Sequence, residues 1–195
     1  RAIELSVILG AKKFGLHAGF LIDPKVNELG KGIAKQKPYD REEAIQRFCS
    51  GYTDLTNHSD EVEIYIENNV FSQRNLKNFS FNPFLLTNYD TYIELYELIK
   101  FPLLLDVAHL KVSCCSLGLD FKTELLKLYK ISDYVHLSDN DGHSDSNNTI
   151  LPNSFIFNFL MSHTSKGKSF TLEIYDDLEI VKSAYDNLNK LTKIL

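Results

Sequence analysis

No stretch of 18 apolar residues occurs in this sequence, so it offers no span long enough to cross a bilayer as a helix. A small-residue cleavage pattern is missing as well. The opening RAIELSVILGAKKFG carries Glu4 and Lys12 inside its apolar period and reads as a helix, not a signal peptide. Cysteine is scarce: Cys49, Cys114 and Cys115 are odd in number, the adjacent pair cannot easily bridge to itself, and none falls in a C-x-x-C pattern. Zinc-ribbon and thioredoxin readings therefore have no support, and the expectation is a reducing, cytoplasmic compartment with each cysteine buried in a structural role. Also absent are a short-period repeat, a low-complexity tract and a Pro/Gly/Ser linker, which leaves residues 1–195 as one expected domain. GKGIAK at 30–35 lacks the context and spacing of a phosphate-cradling loop. It reads as part of a flexible lid over residues 23–39, whose Lys31, Lys35 and Lys37 are either solvated or available to an anionic substrate.

What is present is ordinary globular composition, 44% hydrophobic and 24% charged over 195 residues, enough for one buried core. Lys and Arg number 21 against 26 Asp and Glu, and the lysines are scattered. The net charge of −5 argues against a general nucleic-acid binder.

Short β-branched or aromatic runs alternate with longer segments of helical period, which predicts βα units and a parallel sheet. The expected strands are residues 14–18 (FGLHA), 62–67 (VEIYIE), 102–106 (PLLLD), 134–138 (YVHLS) and 170–174 (FTLEI). Helices are expected over 1–9, 40–57, 89–100, 120–130, 154–163 and from 178 to the C-terminus. Asp40 and Asp120, each followed by acidic residues in the next turn, serve as start signals. The most polar stretch, 139–153 (DNDGHSDSNNTILPN), follows a strand directly and is expected to be a functional loop.

Polar residues fall where such a fold puts its chemistry. His17, Glu67, Asp106, His136 and Glu173 each lie at or near the C-terminal end of a predicted strand, and a barrel points those ends at one mouth. Two imidazoles and three carboxylates suit Mn²⁺, Co²⁺, Mg²⁺ or Zn²⁺. Taken singly, each has a plain alternative. Glu67 could face solvent, Asp106 could cap the next helix, His136 could be a hydrogen-bonded core histidine, and Glu173 could open a helical turn. Their joint occurrence is harder to dismiss, because burying isolated carboxylates costs several kcal/mol each unless a cation or partner compensates. His143 reads as an exposed loop residue, and His58 and His163 as structural.

The segments LGAKKFGLHAGF, EIYIENN, LLLDVAHL, YVHLSDNDGHSDSN and FTLEIYDD resemble the xylose isomerase-like TIM-barrel superfamily, which includes sugar isomerases and epimerases and a zinc-dependent abasic-site endonuclease. The resemblance covers nearly the whole chain. It implies that Glu67, Asp106, His136 and Glu173 hold one divalent cation, that Glu67 and Glu173 form an acid/base pair acting on a sugar or sugar phosphate, and that His109 contacts substrate. Asn68 would orient Glu67 or touch a sugar hydroxyl. The endonuclease branch uses three zinc ions and a D-x-H element. Here that element reads Asp145-Ser146-Asn147, and Asn147 replaces the imidazole, although His17 matches a ligand position of that branch and Asp145 could serve. His17, Asp145 and Asn147 are otherwise expected at the substrate. Five strands leave an eight-unit barrel open, so the resemblance implies that about three βα units precede Arg1. An open parallel sheet exposes apolar edges, which predicts poor solubility, a homo-oligomer or completion by another polypeptide.

Overall fold

The computed structural model describes residues 1–29, 32–58 and 60–192. It contains one five-stranded parallel sheet of β1 (Lys13–His17), β2 (Glu63–Glu67), β3 (Leu103–Asp106), β4 (Tyr134–Leu137) and β5 (Ser169–Leu172), in the order β1-β2-β3-β4-β5. Every neighbour in space is the neighbour in sequence. A doubly wound sheet would reverse its order at a switch point; this one advances in a single direction, as the wall of a (β/α) barrel does.

Alternation along the strands separates two faces. Ile64, Ile66, Leu103, Leu105, Val135 and Leu137 point outward into the main core, where Leu110, Leu125 and Leu128 from the helices meet them. Each such side chain, fully buried, stabilises the fold by about 1.5–3 kcal/mol. The inner face is different. Lys13 Nζ sits 4.8 Å from the centre of the Tyr65 ring, Tyr65 meets Tyr134 edge-on at 5.5 Å, and the Tyr134 hydroxyl lies 3.1 Å from Thr171 Oγ1. Gly15 faces the same way, and a Cβ there would meet Leu104 Cδ1 at 2.6 Å, so only glycine lets β1 approach that leucine.

Register sets the mouth. His17 pairs with Glu67 and Asp106 with His136, whereas Glu67 pairs with Leu104 and His136 with Thr171. The polar positions thus climb two residues from β2 to β3 and two from β4 to β5, an average of about one per pairing, the stagger that closes eight strands with a shear of 8. They lie as a ring across the barrel axis rather than along a hydrogen-bonded row. The edge strands β1 and β5 are half-exposed; β3 is wholly buried.

Helices α1 (Ala2–Ile8), α2 (Arg41–Asn57), α4 (Tyr89–Leu98), α6 (Phe121–Ile131), α7 (Phe155–Ser162) and α8 (Leu178–Thr192) match the predicted ones. Two were not expected, α3 (Gln73–Asn78) and α5 (Val107–Leu117). Helix α5 is buried on nearly every side, including Val107, Leu110, Val112 and Cys114, so it shows no amphipathic period. Helix α3 is a short polar piece, QRNLKN, capped by the Ser72 hydroxyl. Among the described residues no helix is long and apolar enough to cross a membrane.

Around Ile33 the segment expected as a lid is held in place. Ile33 N–H donates to Asn75 Oδ1 at 2.9 Å, Asn78 Nδ2 donates to Ile33 O at 2.8 Å, and Ile33 is buried with Ile22, Phe71, Phe79 and Phe84 in a second, smaller core. Lys31 lies outside the described residues; Lys35 and Lys37 border a separate surface recess with Phe79 and Phe81, away from the mouth. The expectation that every cysteine is buried fails at Cys115, which is exposed with its Sγ 3.7 Å from His143 Nδ1.

Candidate metal centre

Glu67, Asp106 and His17 are the last residues of their strands, His136 is one before the end of β4, and Glu173 is one beyond β5. Ligand-type atoms of Glu67, Asp106, His136 and Glu173 all lie within 4.8 Å of one another. His136 Nδ1 is the hub, 2.9 Å from Glu173 Oε2, 3.3 Å from Glu67 Oε1 and 3.9 Å from Asp106 Oδ2.

Asp106 has two tasks. Its Oδ1 accepts from the His109 backbone N–H at 2.7 Å and caps α5, the plain role open to it from sequence. Its Oδ2 is buried without a hydrogen-bond partner and turns to the cluster, and His136 Nδ1 is likewise buried without an aligned partner. Buried polar atoms are rarely left so. A divalent cation would satisfy both, and three carboxylates with one imidazole are a donor set for it.

The electrostatics agree. Burial pushes the Asp106 carboxyl up to about 6, with the neighbouring Glu67 adding to the rise against the opposing pull of His109. Burial also raises Glu67, but His136, His17 and His109 outweigh it and hold that carboxyl below its usual range. Glu173 is held low mainly by His136. For His136, burial opposes protonation, yet Glu173, Glu67 and Asp106 lift the imidazole to about 10. Without a metal, protons supply the positive charge that the carboxylates demand.

A second donor group, His17, Glu67 and His109, adjoins the first. His17 is exposed at the rim, 3.9 Å from Glu67 Oε2. His109 is buried, its Nδ1 3.0 Å from Asn68 O and its Nε2 3.2 Å from Asp145 Oδ2. Burial works against its protonation, but Asp106, Asp145 and Glu67 prevail and bring it to about 10. Asp145 Oδ1 is buried and unpartnered.

Other residues expected at the site are committed elsewhere. Asn68 clamps the end of β3: its Nδ2 donates to Asp106 O at 3.0 Å and its Oδ1 accepts from Asp106 N–H at 2.7 Å. Asn147 is buried in a left-handed conformation, φ 47°, its Oδ1 accepting from Ser138 Oγ and its carbonyl from Tyr175 N–H, so it ties the loop after β4 to the loop after β5. Within that first loop Asp139 accepts from Lys111 Nζ at 2.5 Å and Asn140 Nδ2 donates to Ala108 O at 2.9 Å, fastening it to α5. His58 and His163 cap the ends of α2 and α7, away from the mouth.

The mouth opens into a cavity of about 470 Å³ whose wall includes His17, His109, Asp145, Glu173, Arg74 and Tyr175. Sequence reasoning passed over the last two. Tyr175 carried a usable sign, two residues beyond Glu173, and its hydroxyl donates to Glu173 Oε1 at 3.3 Å. Arg74 carried none, because the helix that bears it was not foreseen.

No family model and no curated protein matches the sequence. Among solved structures the chain is similar to a D-tagatose 3-epimerase-like protein, with a TM-score of 0.68 and 18% identity over 99% of this chain and 66% of that one. It is similar to a Thermus thermophilus protein soaked with zinc chloride (TM-score 0.59, 17% identity, 99% and 66%). It is also similar to the apo 3-keto-D-glucoside 4-epimerase of E. coli (TM-score 0.58, 11% identity, 98% and 67%). These likenesses show the fold, a (β/α) barrel, and the chain spans about two thirds of the length of these structures.

Proposed function

We propose that this chain is a single barrel unit carrying the metal site of a divalent-metal-dependent isomerase or epimerase for a sugar or sugar phosphate. One cation, Mn, Co, Mg or Zn, would be held by Glu67, Asp106, His136 and Glu173. The observation that carries this reading is the convergence of four donors in which Asp106 Oδ2 and His136 Nδ1 are buried without an aligned hydrogen bond. Two of the similar structures are named as epimerases and another was soaked with zinc, which supports the reading.

Bound there, a divalent cation would supply Lewis acidity toward neighbouring sugar oxygens and so acidify the C–H between them. Glu67, whose carboxylate stands at the strand end between both donor groups, would take the proton from carbon. Glu173 lies across His136 Nδ1 from it, next to the Tyr175 hydroxyl, and would return a proton to carbon after taking one up from solvent at the open mouth. His109, its Nδ1 held by Asn68 O, would turn its Nε2–H from Asp145 to a substrate oxygen at the cavity wall. Three free thiols support a cytoplasmic setting, and the half-exposed edges β1 and β5 support a homo-oligomer.

A second reading, a phosphodiesterase with more than one metal, is favoured by the adjoining His17, Glu67 and His109 group. Against it stands Asn147, whose Oδ1 is engaged by Ser138. Elemental analysis and solvent-deuterium exchange into a panel of sugars test both. The expected result is about one metal per chain and exchange with at least one sugar, with metal affinity and exchange both lost in Glu173→Gln. Absence of metal under every loading condition sinks both readings, and several metals per chain moves the assignment to the second.

A further inference from the structure

The carboxylates crowd one end of the cavity, and the wall around Arg74 has the opposite character. Arg74 is exposed at the start of α3 and forms no ion pair or hydrogen bond with any described residue, yet it is not a free surface arginine. The segment that crosses it is pinned to α3 by the hydrogen bonds of Ile33 with Asn75 and Asn78, and by burial of Ile33 in the smaller core. This brings the Gly32 backbone onto the arginine so closely that a Cβ there would lie 2.1 Å from Arg74 Nε. Arg74 thus lies along the Gly32 backbone, lines the cavity shared by Glu173, His17 and His109, and is paired with no carboxylate among the described residues. Ser72 lines the same cavity, and its hydroxyl, which accepts from Asn75 N–H, keeps its own O–H to donate.

Resting on the isomerase or epimerase reading above, we propose that Arg74 seats an oxyanion carried by the substrate. The natural substrate is then an acidic sugar, a sugar phosphate or a sugar carboxylate, with its polyol end on the metal residues. A planar guanidinium suits the paired oxygens of either group. The polarity of the cavity also fixes the direction of binding, since an anion at the acidic end would meet Glu67, Asp106, Asp145 and Glu173.

Two measurements on the whole protein test this. In the first, inorganic phosphate is titrated and the amide signals of Gly32, Ile33 and Ser72 are followed. Saturable shifts are expected, weakened about 10- to 100-fold in Arg74→Gln and unchanged in the distant Lys122→Gln. The second compares the free, phosphorylated and carboxylate forms of each sugar that exchanges a proton. The KM of the preferred acidic form should rise about 10- to 100-fold in Arg74→Gln with kcat little changed, while the free sugar is unaffected. Preference between the two acidic forms identifies the oxyanion. Equal phosphate binding by wild type and Arg74→Gln, or no advantage of any acidic form, overturns the proposal. Loss of phosphate binding in Arg74→Gln together with no exchange on any sugar upholds the oxyanion seat and rejects the isomerase reading instead.

Discussion

The two ends of the cavity are built by different means. Its acidic end stands on strand termini: Glu67 and Asp106 are buried, their backbones lie in the parallel ladder, and register alone sets their spacing. Its arginine end stands on a six-residue helix and a crossing loop, joined by side-chain amides and a cluster of five buried apolar residues. Strand ends give precision at the reacting atoms, and loops give room for choice of substrate. Removing one side chain should therefore alter metal affinity at one end and local order at the other.

The largest effect is expected from Asp106→Asn, which keeps the cap on α5 but removes a charge from the ring. Metal affinity should fall more than about 100-fold, beyond the loss that outer contacts give. Stability should move the other way. The Asp106 carboxyl rises from 3.8 to about 6 on folding, so its own contribution to metal-free stability is fully present below about pH 4 and is lost as the pH climbs through about 6. Melts in chelator at neutral pH should show the variant more stable by up to about 3 kcal/mol, with the two proteins converging in acid. A metal-free variant less stable than wild type at neutral pH would show that Asp106 is a structural residue.

Asn68→Ala comes next. It leaves a buried N–H and a buried carbonyl of Asp106 unpaired, so a loss of about 2 kcal/mol is expected. Metal affinity should drop about 10- to 100-fold because the β3 end loses its alignment. Calorimetry with and without metal separates the two. The smallest effect is assigned to Ile33→Ala, a cavity in the smaller core costing about 2 kcal/mol locally. Hydrogen exchange should quicken through residues 32–34 while metal binding holds. Weakened metal binding there would mean that the two ends are one cooperative unit.

What could be read from the residues follows the same division. Strands β2, β3 and β4 were legible because apolar runs end in polar residues, and Glu173 was read in the same way from the end of the expected strand 170–174, which the structure closes at Leu172. Helix α5 escaped because burial on every side erases its periodicity, although Asp106 was already visible as a possible cap. Asn68 and Asn147 were expected at the substrate; the structure commits their side chains to Asp106 and Ser138. Nothing along the chain announces that Asn75 and Asn78 will hold residue 33, some 42 and 45 positions away. Arg74 stayed hidden for that reason.

The pairing of Glu67 with Leu104 makes this chemistry all-or-none with respect to chain length. Deleting one residue within β3 would exchange its faces, sending a leucine into the mouth and the carboxylate of Asp106 among the leucines of the helical layer. A cut of the same size in the loop between Asp139 and Asn148 leaves every strand facing as before. The frame therefore tolerates edits in its loops and forbids them in its staves, so one rigid scaffold can be fitted to new substrates without its ring of donors being rebuilt.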